Sequence, residues 1–218
     1  MAENYVPALR FTWATGLYDL VISLFMREKL LRRRSAALIS ENPRVILEAG
    51  CGTGSLTTAL AETFGAAEIV AVDIDPAILD VARKKASRFE NITFQQASLI
   101  SSDDMKGASP GHADAVISSL VFHHLTDDGK KAALRNLKAV MAPGAELHIV
   151  DWGPPKGVLA FIGFWLVRLL DGMAVTSANY HGKLPEMIGE AGFTEVEAHP
   201  LHQTTLGTVW HYVAKIAG

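Results

Sequence analysis

Apolar positions along the chain follow two alternating rhythms. Short runs of strand-forming residues occur at Val45-Ile46-Leu47, at residues 68–73, 91–96, 113–119 and 146–151, and again at 194–199 and 208–216. Between them, apolar residues recur at helical spacing. Leu56, Thr57, Ala59, Leu60 and Phe64 lead to a stop at Gly65, and further helices are expected at residues 76–89, 127–141 and 185–191. Residues 15–34 read as an amphipathic helix with Leu17, Leu20, Val21, Leu24, Phe25 and Leu31 on one side. Five strands alternating with helices define an α/β chain with a doubly wound, mostly parallel sheet. Residues 101–112 hold Ser, Asp, Gly and Pro without periodicity, which predicts a surface loop.

Residues 158–170 break the rhythm, being apolar throughout except for Arg168. The stretch falls short of the roughly 20 apolar residues a membrane span needs. Three readings compete for it, in descending order: a core or dimer-facing helix, the lining of a greasy substrate pocket, and a membrane-surface element.

With 218 residues, 49% hydrophobic and 20% charged, the chain suits one domain with a full core. A net charge of −3 supplies no basic face for nucleic acid. The run Arg32-Arg33-Arg34 reads as a solvated helix end beside a negative dipole. Cys51 is the one cysteine, so no internal disulfide forms. The N-terminus lacks a basic segment followed by an apolar one and a cleavage site, and a cytoplasmic protein is expected.

The chemistry concentrates where the first strand ends. Glu48-Ala49-Gly50-Cys51-Gly52-Thr53-Gly54 gives E-x-G-x-G-x-G between a strand and a helix. Its glycines permit positive φ and let a ligand lie against bare backbone. The dinucleotide fingerprint G-x-G-x-x-G would need glycine at Ser55, which disfavours a nicotinamide enzyme. About 20 residues on, Asp73 closes the second strand where a carboxylate accepts ribose hydroxyls.

On residues 45–54 and Asp73 the chain resembles the class I S-adenosylmethionine (SAM) dependent methyltransferases, small-molecule type. The resemblance runs from Thr15 to the end and implies a Rossmann-like seven-stranded sheet closed by an antiparallel hairpin. It also implies a helical cap at 1–40 over a SAM-binding core at 41–218, with a lid at about 153–183, all in one domain. SAM is then the cofactor and S-adenosylhomocysteine its product. The cofactor-binding residues implied are Tyr18, Glu48, Gly50, Cys51, Gly52, Thr53, Gly54, Asp73, Ile74, Ser98 and Ser118. Tyr18 and Asp19 match the family's cap pair, where plain amphipathic packing explains Tyr18 equally well. The acid that usually binds adenine after the third strand is missing, since Ala97 and Ser98 stand there. Adenine recognition then falls to Ser98, a backbone group or apolar sandwiching.

Methyl transfer from a sulfonium is an in-line displacement in which the protein mainly aligns the reactants. A general base serves only an acceptor that keeps its proton. His123 and His124 follow the fourth strand at the pocket mouth, one of them structural, and Asp151 ends the fifth strand. Asp171, Thr176, Asn179, Tyr180 and His181 are further polar candidates near a lid or plain surface loop. No metal is expected, because Ser118-Ser119 and Asp151-Trp152 offer too few hard oxygen ligands. Trp13, Tyr18, Phe122, Trp152, Phe161 and Trp165 point to a small apolar or aromatic acceptor, although each could be core. A rival reading is a SAM-binding regulatory module without turnover. A homodimer and the absence of an integral membrane segment complete the expectations.

Overall fold

The computed structural model describes residues 28–39, 42–108 and 112–217. In chain order these form α1 (Glu28–Ala36), β1 (Val45–Ala49), α2 (Ser55–Thr63), β2 (Glu68–Asp73), α3 (Pro76–Lys85), β3 (Ile92–Gln96), α4 (Ser102–Ala108) and β4 (Ala113–Ser119). A 3₁₀ turn (Phe122–His124) leads to α5 (Asp127–Ala139) and β5 (Met141–Gly153). Then come α6 (Val158–Asp171), α7 (Ser177–Tyr180), α8 (Leu184–Glu190), β6 (Thr194–Thr204) and β7 (Gly207–Lys215).

One seven-stranded sheet carries the order β3-β2-β1-β4-β5-β7-β6. The first five strands pair in parallel, and β7 enters antiparallel between β5 and β6. Strand order reverses between β1 and β4, so a crevice opens beyond their carboxyl ends.

Both faces are covered. Leu47, Val70, Val116, Leu147 and Ile149 point to one face and pack with Leu134 and Leu137 of α5, Met105 of α4 and Ile188 of α8. Ile46, Ile69 and Ile117 point to the other, against Leu56 and Leu60 of α2. That second face continues through Val150, Trp152 and Val209 under Leu31 of α1 and Phe164 and Val167 of α6. Strands buried on both sides explain the near-continuous apolar runs in the sequence.

Three elements differ from expectation. Residues 102–108 are helical rather than loop, because fully buried Met105 anchors a turn started by Ser101, whose hydroxyl accepts the Asp104 N–H at 3.2 Å. One large apolar residue in seven leaves no period to detect. Strand β5 begins at Met141, ahead of Pro143, since its ladder to β7 starts only at Glu146 and the missing N–H breaks nothing. Strand β6 runs on to Thr204 through Pro200, which an edge strand with a bulge tolerates. Of the expected N-terminal helix, α1 is its described end; Trp13, Tyr18 and the rest of that segment lie outside the described residues. Among the described residues no helix is long and apolar enough to cross a membrane.

Candidate active site

The loop joining β1 to α2 is pinned from behind. The N–H groups of Gly50 and Cys51 both donate to the Val72 carbonyl at 2.9 Å, and Gly54 N–H closes a turn onto Cys51 O. Gly50 takes φ +79°, and a Cβ there would stand 2.4 Å from Val121 Cγ2. Gly54, at φ +75°, has no room against Ala82 of α3. Gly52 differs: at φ +52° its side-chain position faces open space. Bare backbone is therefore presented at Gly52, while Gly50 and Gly54 are glycines for packing.

Asp73 is fastened to this loop. Its Oδ2 accepts the Gly52 N–H at 2.8 Å and its Oδ1 the Asp75 N–H at 3.1 Å. Asp75 in turn caps α3 by accepting from Ala77 and Ile78. Beside Asp73 opens a cleft lined by Ile74, Ala97, Ser98, Leu99, Ile100, Val121 and Leu125. Apolar side chains dominate it, as sandwiching of a flat base requires. The Ser98 N–H donates to Asp104 Oδ2 at 3.1 Å, so a carboxylate from α4 holds the backbone at this edge. Asp104 is not legible from sequence, because its helix carries no apolar period.

On the opposite side of the loop, Glu48 is 2% exposed with Oε2 unpartnered. Burial pushes its carboxyl up to about 7, against the Thr57 hydroxyl and the Arg32 charge, with Asp73 adding to the rise. Arg32 reaches in from α1 to donate to Ser119 Oγ at 2.8 Å. This corrects the basic run: Arg33 and Arg34 are exposed, but Arg32 enters the site. Cys51 is buried, and burial followed by the Glu48 and Asp73 charges holds its thiol protonated. Two of the expected cofactor-binding residues have hydroxyls bonded within the chain. The Ser118 hydroxyl is fully buried and donates to Ala49 O between strands, because an inward-facing position on a central strand must satisfy itself locally. Thr53 is exposed and its hydroxyl accepts from Lys85 Nζ at 3.1 Å.

Beyond β4, the 3₁₀ turn drops Phe122 into the core and brings His123 against β5. His123 Nδ1 lies 2.7 Å from Asp151 Oδ1, and the His123 N–H donates to Oδ2 at 3.3 Å. Trp152 N–H also donates to Oδ1. Asp151 is fully buried, which alone would raise its pKa; the His123 charge and hydrogen bond outweigh this and hold it below the usual carboxylate range. His124, with its ring centroid 3.9 Å from that of His123, is pushed down to about 3 by burial and the His123 charge, Asp151 opposing and Lys130 reinforcing. Its ring is therefore neutral near pH 7. Lys130 was not anticipated: wholly buried, it donates to Leu125 O and Val175 O, both at 2.6 Å, tying the turn to the segment before α7.

Of the lid candidates, Asn179 reaches the end of β5, donating to Trp152 O at 2.9 Å with its own Oδ1 unpartnered. The Tyr212 hydroxyl, likewise buried and unpartnered, crowds Gly153. Thr176 bonds within its own turn, Tyr180 stacks on Phe164, and His181 is exposed. Among the described residues no three His, Cys, Asp or Glu converge as metal ligands.

Comparison with known proteins matches residues 46–144 to the family described as methyltransferase domain. The demethylmenaquinone methyltransferase of Thermus thermophilus is 35% identical over 150 residues, 66% of either chain. The chain belongs to the class I SAM-dependent methyltransferases. A malonyl-[acyl-carrier protein] O-methyltransferase of Halalkalibacterium halodurans is 32% identical over 66% of this chain and 54% of its own. The aligned stretch thus spans about two thirds or less of these relatives. In fold, the methyltransferase resembles the N-methyltransferase NodS of Bradyrhizobium japonicum, solved with S-adenosylhomocysteine. Its TM-score is 0.65 at 17% identity, covering 89% of this chain and 88% of that one.

The family's cofactor suits the residues present. Gly52 offers bare backbone, the cleft beside Ile74 offers apolar walls, and the buried Glu48 Oε2 has no partner of its own.

Proposed function

We propose that this chain transfers a methyl group from SAM to a small, apolar or aromatic organic acceptor, without a metal, with His123 as general base and Asp151 orienting it. Bound SAM supplies a methyl carbon already activated by the sulfonium, so the protein's work is alignment and proton removal. Asp73 fixes the sugar: each oxygen already holds one backbone N–H and keeps a further lone pair for a hydroxyl. Glu48 meets the ammonium of the methionine half. Asp151 accepts the Nδ1 proton of His123, which places the basic lone pair on Nε2 and stabilises the imidazolium once it takes the acceptor's proton.

The observation that carries the reading is the hydrogen bond from Gly52 N–H to Asp73, which couples a bare-backbone loop to the sugar-binding carboxylate across β1 and β2. The relatives' names, a demethylmenaquinone methyltransferase and a malonyl-[acyl-carrier protein] O-methyltransferase, support an organic acceptor. The buried, protonated Cys51 agrees with a reducing compartment. Incubation with labelled SAM over a panel of phenols, quinols and acyl thioesters tests it. Label transfer to one class is the expected result. Stabilisation by SAM with no transfer would leave a binding module, and stabilisation by NAD alone would overturn the family's cofactor here.

A further inference from the structure

We propose that α6 is the contact face between two copies of this chain. A helix apolar all round is normally buried all round. The inner side of α6 conforms: Ala160, Phe164 and Val167 lie on the sheet, and Gly163 sits so close to the β6–β7 turn that a Cβ would stand 1.9 Å from Thr205 O. The outer side does not. Val158, Leu159, Ile162, Leu166 and Leu169 are 51–75% exposed, and Phe161 and Trp165 extend the same stripe. At helical spacing these side chains span an arc of about 160°, and among the described residues nothing covers it.

The size of this face argues for a protein partner. A fully uncovered aromatic residue exposes roughly 150–250 Å² and a large aliphatic one about the middle of that range, so at these fractional exposures the stripe leaves on the order of 800 Å² bare, about one partner's share of a standard interface. A monomer's largest apolar patch is about 300–600 Å². A lipid surface fits less well, because the neighbouring cations are turned onto rings. Lys156 Nζ lies 5.0 Å from the Trp210 ring centroid, and Arg168 sits over Tyr180 and Trp165. Among the described residues, these cations therefore form no basic rim facing outward from α6 toward anionic headgroups. A stripe without charge is complementary to itself, and a twofold axis across it makes an isologous contact with Trp165 near its centre.

Sedimentation velocity of the full chain at tens of micromolar tests this independently of any methylation. The expected species has twice the 23.5 kDa chain mass, and Ile162→Glu combined with Leu166→Glu should sediment as one copy. Those positions are more than half exposed, so far-UV circular dichroism should be unchanged. A second pair, Leu159→Lys with Leu169→Lys, guards against a local folding defect and should give the same result. Wild-type chain at single-copy mass, a folded variant that still dimerises, or wild-type monomer floating with phosphatidylcholine vesicles would each overturn the proposal, the last giving the face to lipid.

Discussion

Asp73 serves two masters, the loop through Gly52 and the start of α3 through Asp75. Asp73→Ala should therefore weaken SAM binding by about 1.5–3 kcal/mol, the worth of hydrogen bonds to a charged group, read by calorimetry. Unchanged affinity would remove the sugar role. His123→Ala should leave SAM affinity nearly intact and lower kcat by roughly 10²–10⁴, the span of general base catalysis; an unaltered rate would remove it as base. Glu48 is predicted to make binding pH-dependent. Its carboxyl titrates at about 7, and a cationic ligand prefers the ionised form. Affinity should climb about tenfold between pH 6 and pH 8 and flatten in Glu48→Gln. Both Glu48 and Asp73 could be picked out by their places at strand ends. Arg32, Asp104 and Lys130 could not, because what turns each inward is a neighbour distant in sequence.

At the scale of elements, the loop between β1 and α2 separates two uses of glycine. Gly50→Ala forces a side chain into Val121 at a left-handed φ, so strain and overlap add. Gly52→Ala meets open space and bears only the left-handed strain, about 1–2 kcal/mol. Thermal melts should rank Gly50→Ala well below Gly52→Ala, whereas SAM affinity should fall in both; equal melting temperatures would contradict the packing role of Gly50. The spacing of the glycines was legible in the sequence, but their division of labour was not. The same holds for the turn after β4. Its two histidines stood side by side as candidates, and the burial of Phe122 decided which ring meets Asp151.

Across the whole molecule, buried titratable groups set the acid response. His148 Nδ1 and His211 Nε2 lie 3.0 Å apart between β5 and β7, both rings buried. Burial, then the neighbouring His148 and His199, hold His211 at about 4. A histidine held neutral in the fold gains protons more readily when unfolded, so its stability is present above about 6.5 and is lost as pH falls toward 4. The loss is on the order of 3 kcal/mol. Melting temperature should drop between pH 7 and pH 5, less steeply in His211→Gln; the remaining slope belongs to His124 and His148, while Glu48 works the opposite way from pH 4.5 to 7. Identical slopes in wild type and variant would clear the pair. The sequence by itself determined the order of strands and helices, the glycine loop and its distant aspartate, because period and spacing are local and survive without a partner. Only the tertiary structure decided that His123 Nδ1 meets the Asp151 carboxylate, that Arg32 reaches Ser119, that the Ser118 hydroxyl bonds Ala49 O, and that α6 keeps an exposed apolar side. Each of these depends on which strands the crossovers set side by side, and a side chain's surroundings are fixed by that adjacency rather than by its own neighbours along the chain.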